Sequence, residues 1–240
     1  EKISEPLINF SKDLEKKFNN VFNLNGNRET SLNETDILIA GLDNSSEGDS
    51  REIQVKSIVI LNLLPDRNKL NVYAVKPDIK INNKPLKKIS PDIISDKITS
   101  IYGRKPEYHF MIGYEGFKRV INELNGIEIE VDKSLIVKDL NLKLTNGKNT
   151  LDGQEALNYS RWFNPEKGEE DRIRRQLKVI NGIKDKVFQV ETLLDIPVLY
   201  RTLQKSYSSV NTSIDINLIY QSLKYLINRN ELEIEYFIVK

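Results

Sequence analysis

The apolar residues of this chain change period repeatedly, and that alternation is what most limits the fold. Short unbroken apolar runs read as strands, and longer stretches spaced for a helix lie between them. Asp36 to Asp43 is a buried strand ending in Gly and Asp, which delivers Asp43 to a sheet edge. Val55 to Leu64 and Lys69 to Val75 form an antiparallel hairpin about the turn Pro65-Asp66-Arg67-Asn68. Residues 76 to 91 hold three prolines and read as irregular. A helix is expected over 91–102, a strand over 108–112, a helix over 115–124 stopped by Asn125-Gly126, and a strand over 127–131. The segment 140–144 and the turn Asn146-Gly147 lead into a helix that runs through Tyr159. A strong helix follows over 169–188, with Ile173, Leu177, Ile180 and Val187 on its core face. Helical spacing recurs over 5–22, 192–205 and 215–228, and an alternating strand closes the chain over 231–239. This order implies an α/β fold with a mixed central sheet and helices on both faces. Residues 1–35 are an N-terminal helix and loop, and 36–240 form one domain.

Composition narrows the function classes. With 36 basic and 35 acidic residues the net charge is +1, so the chain lacks the general electrostatic footprint of a nucleic-acid binder. There is no cysteine, which excludes disulfides, thiol catalysis and thiolate zinc sites. The one histidine, His109, has no catalytic companion nearby and reads as a satisfied or surface residue. No stretch is long and apolar enough to span a bilayer.

Positive charge is concentrated in one place. Arg161, Arg172, Arg174, Arg175 and Gln176 fall within two short, closely spaced segments. Guanidinium groups match phosphate oxygens in bidentate geometry, so the cluster suits a phosphate or pyrophosphate; a solvated helix face is the alternative. Arg172, Arg175 and Gln176 share a face beside the core stripe, and Arg174 reads as solvated. Trp162 reads as a core aromatic.

These residues belong to a longer pattern. A strand ending Gly41-Leu42-Asp43 is followed by Ser57-Ile-Val-Ile-Leu61, a hairpin, and Asn125-Gly-Ile-Glu-Ile-Glu-Val131. Leu151-Asp-Gly-Gln-Glu-Ala-Leu-Asn-Tyr-Ser-Arg161 and Asp171-Arg-Ile-Arg-Arg-Gln176 complete it. From about residue 36 to the end, this order resembles the LytR–CpsA–Psr family. The resemblance implies a membrane-anchored, extracytoplasmic protein of Gram-positive type, its anchor upstream of this chain. It implies transfer of a glycopolymer from a polyprenyl-pyrophosphate carrier to peptidoglycan, with an apolar groove for the lipid and no nucleic-acid partner. It also implies arginines on the pyrophosphate and carboxylates on magnesium.

Within that resemblance Asp43, Asp78 and Arg161 are the candidate catalytic residues. Arg161, Arg172, Arg175, Gln176 and Lys56 are the candidate phosphate ligands. The departures are specific. Where the family carries Arg-x-Asp before the second strand, this chain has Gln54-Val55-Lys56. An arginine position after the third strand is Pro77, and the second arginine of Tyr-x-Arg-x-Arg is Phe163. An ammonium cannot ligate magnesium and repels it, so Lys56 set against Asp43 would replace the metal's charge. Magnesium is the cofactor implied by the family, yet no metal ligand is assigned. Each lost charge weakens stabilisation of developing negative charge. The alternative to a transferase is therefore a non-catalytic lipid- or glycopolymer-binding regulator or scaffold of envelope assembly. Arg51 is a further candidate to replace a missing guanidinium.

Overall fold

The alternating apolar runs pair into a sheet, and the order of pairing is what places the charged residues. The computed structural model describes Lys16 and residues 32–43, 53–187, 210–227 and 232–239. Apart from Lys16, the expected helix over 5–22 lies outside those residues, as do the helix expected over 192–205 and Arg51. The chain gathers into two compact units, residues 1–113 with 194–240 and residues 114–193.

The first unit is built on a six-stranded mixed sheet. Its strands are β1 (Thr35–Asp43), β2 (Gln54–Leu64), β3 (Lys69–Val75), β6 (Tyr108–Gly113), β11 (Val210–Thr212) and β12 (Glu233–Val239), in the order β11-β6-β1-β2-β3-β12. β1, β2 and β3 form an antiparallel meander, β6 lies parallel to β1, and β12 lies parallel to β3. The expected hairpin is present, its turn a short 3-10 segment ended by Asn68 in the left-handed region at φ 51°. β1 is interior rather than marginal, so Asp43 sits at the end of a central strand and not on a sheet edge. Edge strand β12 carries Glu235, which pairs with Lys69 at 2.7 Å, a charge that blunts open pairing.

One face of this sheet carries Leu38, Ala40, Ile58, Ile60 and Val75, packed with Ile94 and Ile98 of helix α1 (Pro91–Tyr102). Pro91 stands at the first helical position and Gly103 ends the helix at φ 88°, the usual proline-start and glycine-stop asymmetry. The segment expected to be irregular contains a miniature hairpin, β4 (Lys80–Ile81) and β5 (Lys84–Pro85), turned by Asn82 and Asn83. Both asparagines have positive φ, at 49° and 64°, as a two-residue type I′ turn requires. Leu86 and Ile89 follow it into the core.

A buried polar network anchors the start of β1. Asp36, 4% exposed, accepts hydrogen bonds from Tyr102 at 2.7 Å, Asn62 at 3.0 Å and Arg104 at 3.0 Å. Arg104 also bonds Glu34 at 2.6 Å. A carboxylate this deep needs such company, because an unpaired buried charge is costly. Burial, and then Asp36 beside it, pushes the Tyr102 phenol well above its ordinary pKa.

The second unit holds α2 (Tyr114–Glu123), β7 (Ile127–Val131), β8 (Leu135–Val137), β9 (Leu142–Leu144), β10 (Gly147–Leu151), α3 (Gly153–Arg161) and α4 (Gly168–Val187). β10 pairs antiparallel with β7, and β8 with β9. Its core joins Ile121, Ile127, Ile129, Leu142, Leu151, Ala156 and Val179. α3 starts with a capping box: Asp152 accepts from the Glu155 backbone N–H, and Glu155 accepts from that of Asp152. At Gly153 an added Cβ would meet the Lys118 carbonyl oxygen at 2.3 Å, so the helix start lies against the α2 backbone. The last helix, α5 (Ile216–Ile227), belongs to the first unit and buries Leu218 and Tyr220.

Candidate functional site

In the first unit the charged residues gather at the end of β1 and β2. Gly41 faces Ser57, but Leu42 faces Val55, so Lys56 is the extra residue of a β-bulge. Bulges re-aim side chains at strand ends. The Lys56 ammonium donates to Gln54 Oε1 at 2.7 Å and lies 3.8 Å from the Asp43 carboxylate. Gln54 is the direct cross-strand partner of Asp43. Lys56 is 36% exposed and Asp43 is 23% exposed, so both side chains are partly accessible.

Strand periodicity puts Ile37, Ile39 and Gly41 on the same face as Asp43. Their partners Leu61 and Val59 on β2, and Phe110 and Ile112 on β6, extend that face with apolar side chains. Ile37, Ile39, Leu61 and Phe110 are half-buried. A charged head thus stands beside an apolar field on one face of one sheet. Asp78 follows β3, is exposed, and pairs with Lys87 at 2.5 Å.

The magnesium implied by the resemblance does not fit these residues. Asp43 faces an ammonium, and among the described residues no group of three His, Cys, Asp or Glu side chains is arranged to hold an ion. Magnesium demands near-octahedral oxygen ligation, and a resident cation beside the carboxylate opposes it.

In the second unit the arginines divide sharply. Arg175 is buried: its Nε donates to the Tyr159 carbonyl at 3.0 Å, one terminal nitrogen pairs with Asp171 and the other donates to the Trp162 carbonyl. Its guanidinium also lies 4.7 Å from the Trp162 ring centroid. The fork thereby ties α4 to the end of α3. Arg172 is held by both oxygens of Glu169, one turn earlier on the same helix. Gln176 donates to the Ser160 carbonyl at 3.4 Å. Arg174 is exposed. Burial pushes the Tyr159 phenol up to about 12, opposed by the nearby Arg175.

Arg161 differs from Arg172 and Arg175. It is exposed, makes no ion pair among the described residues, and stands over the Tyr114 ring at 5.9 Å. It borders an open cavity of about 460 Å³ lined by Asp139, Leu140, Asn141, Asp152, Gln154, Glu155 and Asn158. The Asp139–Asn141 wall was not anticipated from the sequence. Its one local sign is the Asp-Leu-Asn turn, where Asn141 takes φ 46° between β8 and β9. His109 bonds Asn211 at 2.8 Å, and Trp162 packs against the second core.

The chain is similar in sequence and in fold to known proteins. The chain is 27% identical over 197 residues to the regulatory protein MsrR of Staphylococcus aureus, covering 78% of this chain and 58% of MsrR. It is 22% identical over 178 residues to the polyisoprenyl-teichoic acid–peptidoglycan teichoic acid transferase TagV of Bacillus subtilis, covering 67% of this chain and 45% of TagV. The chain therefore spans about half the length of these relatives. The crystal structure of Bacillus subtilis TagV shares the fold, with a TM-score of 0.70 at 18% identity over 87% of this chain and 86% of that one. The profile of the LytR_cpsA_psr family matches residues 8–240, and the chain belongs to that family.

Proposed function

We propose that this protein acts at the cell envelope on a glycopolymer linked to a polyprenyl phosphate or pyrophosphate, and that peptidoglycan is the acceptor. The observation that carries the reading is the sheet face of the first unit. Asp43, Gln54 and Lys56 form a polar head at one end, and the same face continues as apolar side chains. An amphiphile with a phosphate head and an isoprenoid tail matches that order of charge and grease. The TagV relative, a teichoic acid transferase by name, supports the same substrate class. Extracytoplasmic placement follows from this role; no described helix is long and apolar enough to cross a membrane.

If transfer occurs from a pyrophosphate-linked carrier, an acceptor hydroxyl attacks the phosphorus that bears the glycopolymer, its proton is lost to water, and the P–O bond to the other phosphorus breaks to release the polyprenyl monophosphate. The protein's part is to hold cations where negative charge grows. Taken each within its own unit, Lys56 in the first and Arg161 in the second are partly or fully exposed cations. Arg172 must exchange Glu169 for phosphate before it can contribute, and Arg175 would have to leave its three protein partners. That commitment favours a second reading, a carrier-binding regulator or scaffold without turnover.

Native mass spectrometry with lipid extraction, followed by assay of glycopolymer transfer to peptidoglycan, separates the two. Bound polyprenyl phosphate with turnover indicates a transferase; bound lipid without turnover indicates a binder. Arg161→Ala should weaken polyprenyl phosphate binding about tenfold, the size of one charge-assisted hydrogen bond. Arg172→Ala should have a smaller effect and Arg174→Ala the smallest. Equal losses from all three would reduce the cluster to diffuse surface charge.

A further inference from the structure

We propose that the Asp43 site excludes divalent cations and that Lys56 supplies the site's cation from within the chain. The inference rests on the reading of this face as a phosphate site, and it names how that site meets charge.

Three observations carry it. First, the ammonium lies 3.8 Å from the Asp43 carboxylate, so the carboxylate already has a counter-charge. A hard dication entering there meets like charge at short range, and among the described residues no group of three His, Cys, Asp or Glu side chains is arranged to hold it, whereas magnesium takes six ligands. Second, the lysine is placed by the backbone. It is the bulged residue opposite Gly41 and Leu42, which gives β2 one residue more than β1 at this point. Third, Gln54 steers it. The Gln54 carboxamide oxygen accepts one ammonium hydrogen at 2.7 Å, while Asp43 lies beyond hydrogen-bond reach. An ammonium has three donors, so hydrogen-bonding capacity remains for a phosphate oxygen. At 36% exposure the side chain is accessible to one.

A resident ammonium needs no ion from solution, so phosphate binding at this site is indifferent to chelators. The test uses the full chain and two probes. The first is Mn2+, followed by loss of its free electron paramagnetic resonance signal. The wild-type protein should leave the signal unchanged, and Lys56→Asp should bind the ion by placing a second carboxylate near Asp43. Mn2+ binding by the wild type, abolished by Asp43→Asn, would overturn the inference. So would a folded Lys56→Asp protein with no gain. If Lys56→Asp does not fold, Lys56→Glu takes its place: it too sets a second carboxylate near Asp43 and should bind Mn2+ more tightly than wild type, and no gain would overturn the inference.

The second probe is farnesyl monophosphate, titrated in EDTA and again in Mg2+. Affinities within about twofold of each other support the inference, and a tenfold rise with Mg2+ overturns it. Lys56→Gln should lose about tenfold in both buffers. Failure to bind the phosphate in either buffer would remove the lipid-phosphate reading, while the Mn2+ titration still decides whether the site excludes dications.

Discussion

The end of β1 and β2 and the junction of α3 and α4 both concentrate charge, but they use it differently. At the helix junction Arg175 and Arg172 are held by Asp171, Glu169 and backbone carbonyls, with 7% and 13% of their side chains exposed. At the strand ends Lys56 and Asp43 are paired at 3.8 Å and remain accessible. The difference teaches that charge density along a sequence does not locate a binding site. What matters is which donors are already committed to the protein. By that measure the helix junction is mostly architecture, with Arg161 exposed at its rim and without an ion pair among the described residues.

The sharpest way to break this contrast is Arg175→Ala. Removing one partner of a buried ion pair, and two carbonyl contacts with it, should lower stability by about 3 kcal/mol in urea unfolding. A loss under about 1 kcal/mol would return Arg175 to the list of available phosphate ligands. Next in size is Gly153→Ala. With the Lys118 carbonyl oxygen 2.3 Å from the added carbon, backbone must move, at a cost of about 2 kcal/mol. Thermal melting that matched wild type would show that the α2–α3 approach is looser than described. Asp152→Ala removes the capping-box acceptor and should cost about 1 kcal/mol. The smallest stability effect belongs to Arg161→Ala, within about 0.5 kcal/mol, despite its tenfold effect on polyprenyl phosphate binding. A large drop in stability there would mean that Arg161, like Arg175, is a structural tie.

Much of the local structure was readable in the chain. The hairpin over β2 and β3, the helix opened by Pro91, the stop at Asn125-Gly126 and the last alternating strand all rest on local periodicity and turn chemistry. The Asn82-Asn83 turn was equally local, but prolines at 77, 85 and 91 masked it as an irregular segment. The motif from Leu151 to Arg161 marked the family, and its physical content is largely the start of a helix. Asp152 and Glu155 cap it, and Gly153 permits the close approach to α2.

The site divides along the same line. Sequence by itself determined which residues are charged, that arginines cluster between 161 and 175, and that a lysine stands where the resemblance implies a metal carboxylate. Only tertiary structure decided that β12 pairs with β3 and that Lys56 is a bulge residue reaching Asp43. It also decided that Arg175 is occupied while Arg161 is exposed. Period and turn residues act over a few positions, so they specify the state of a segment. Pairing partners, register slips and the burial of a guanidinium depend on groups many residues away, and those are set only when the chain packs.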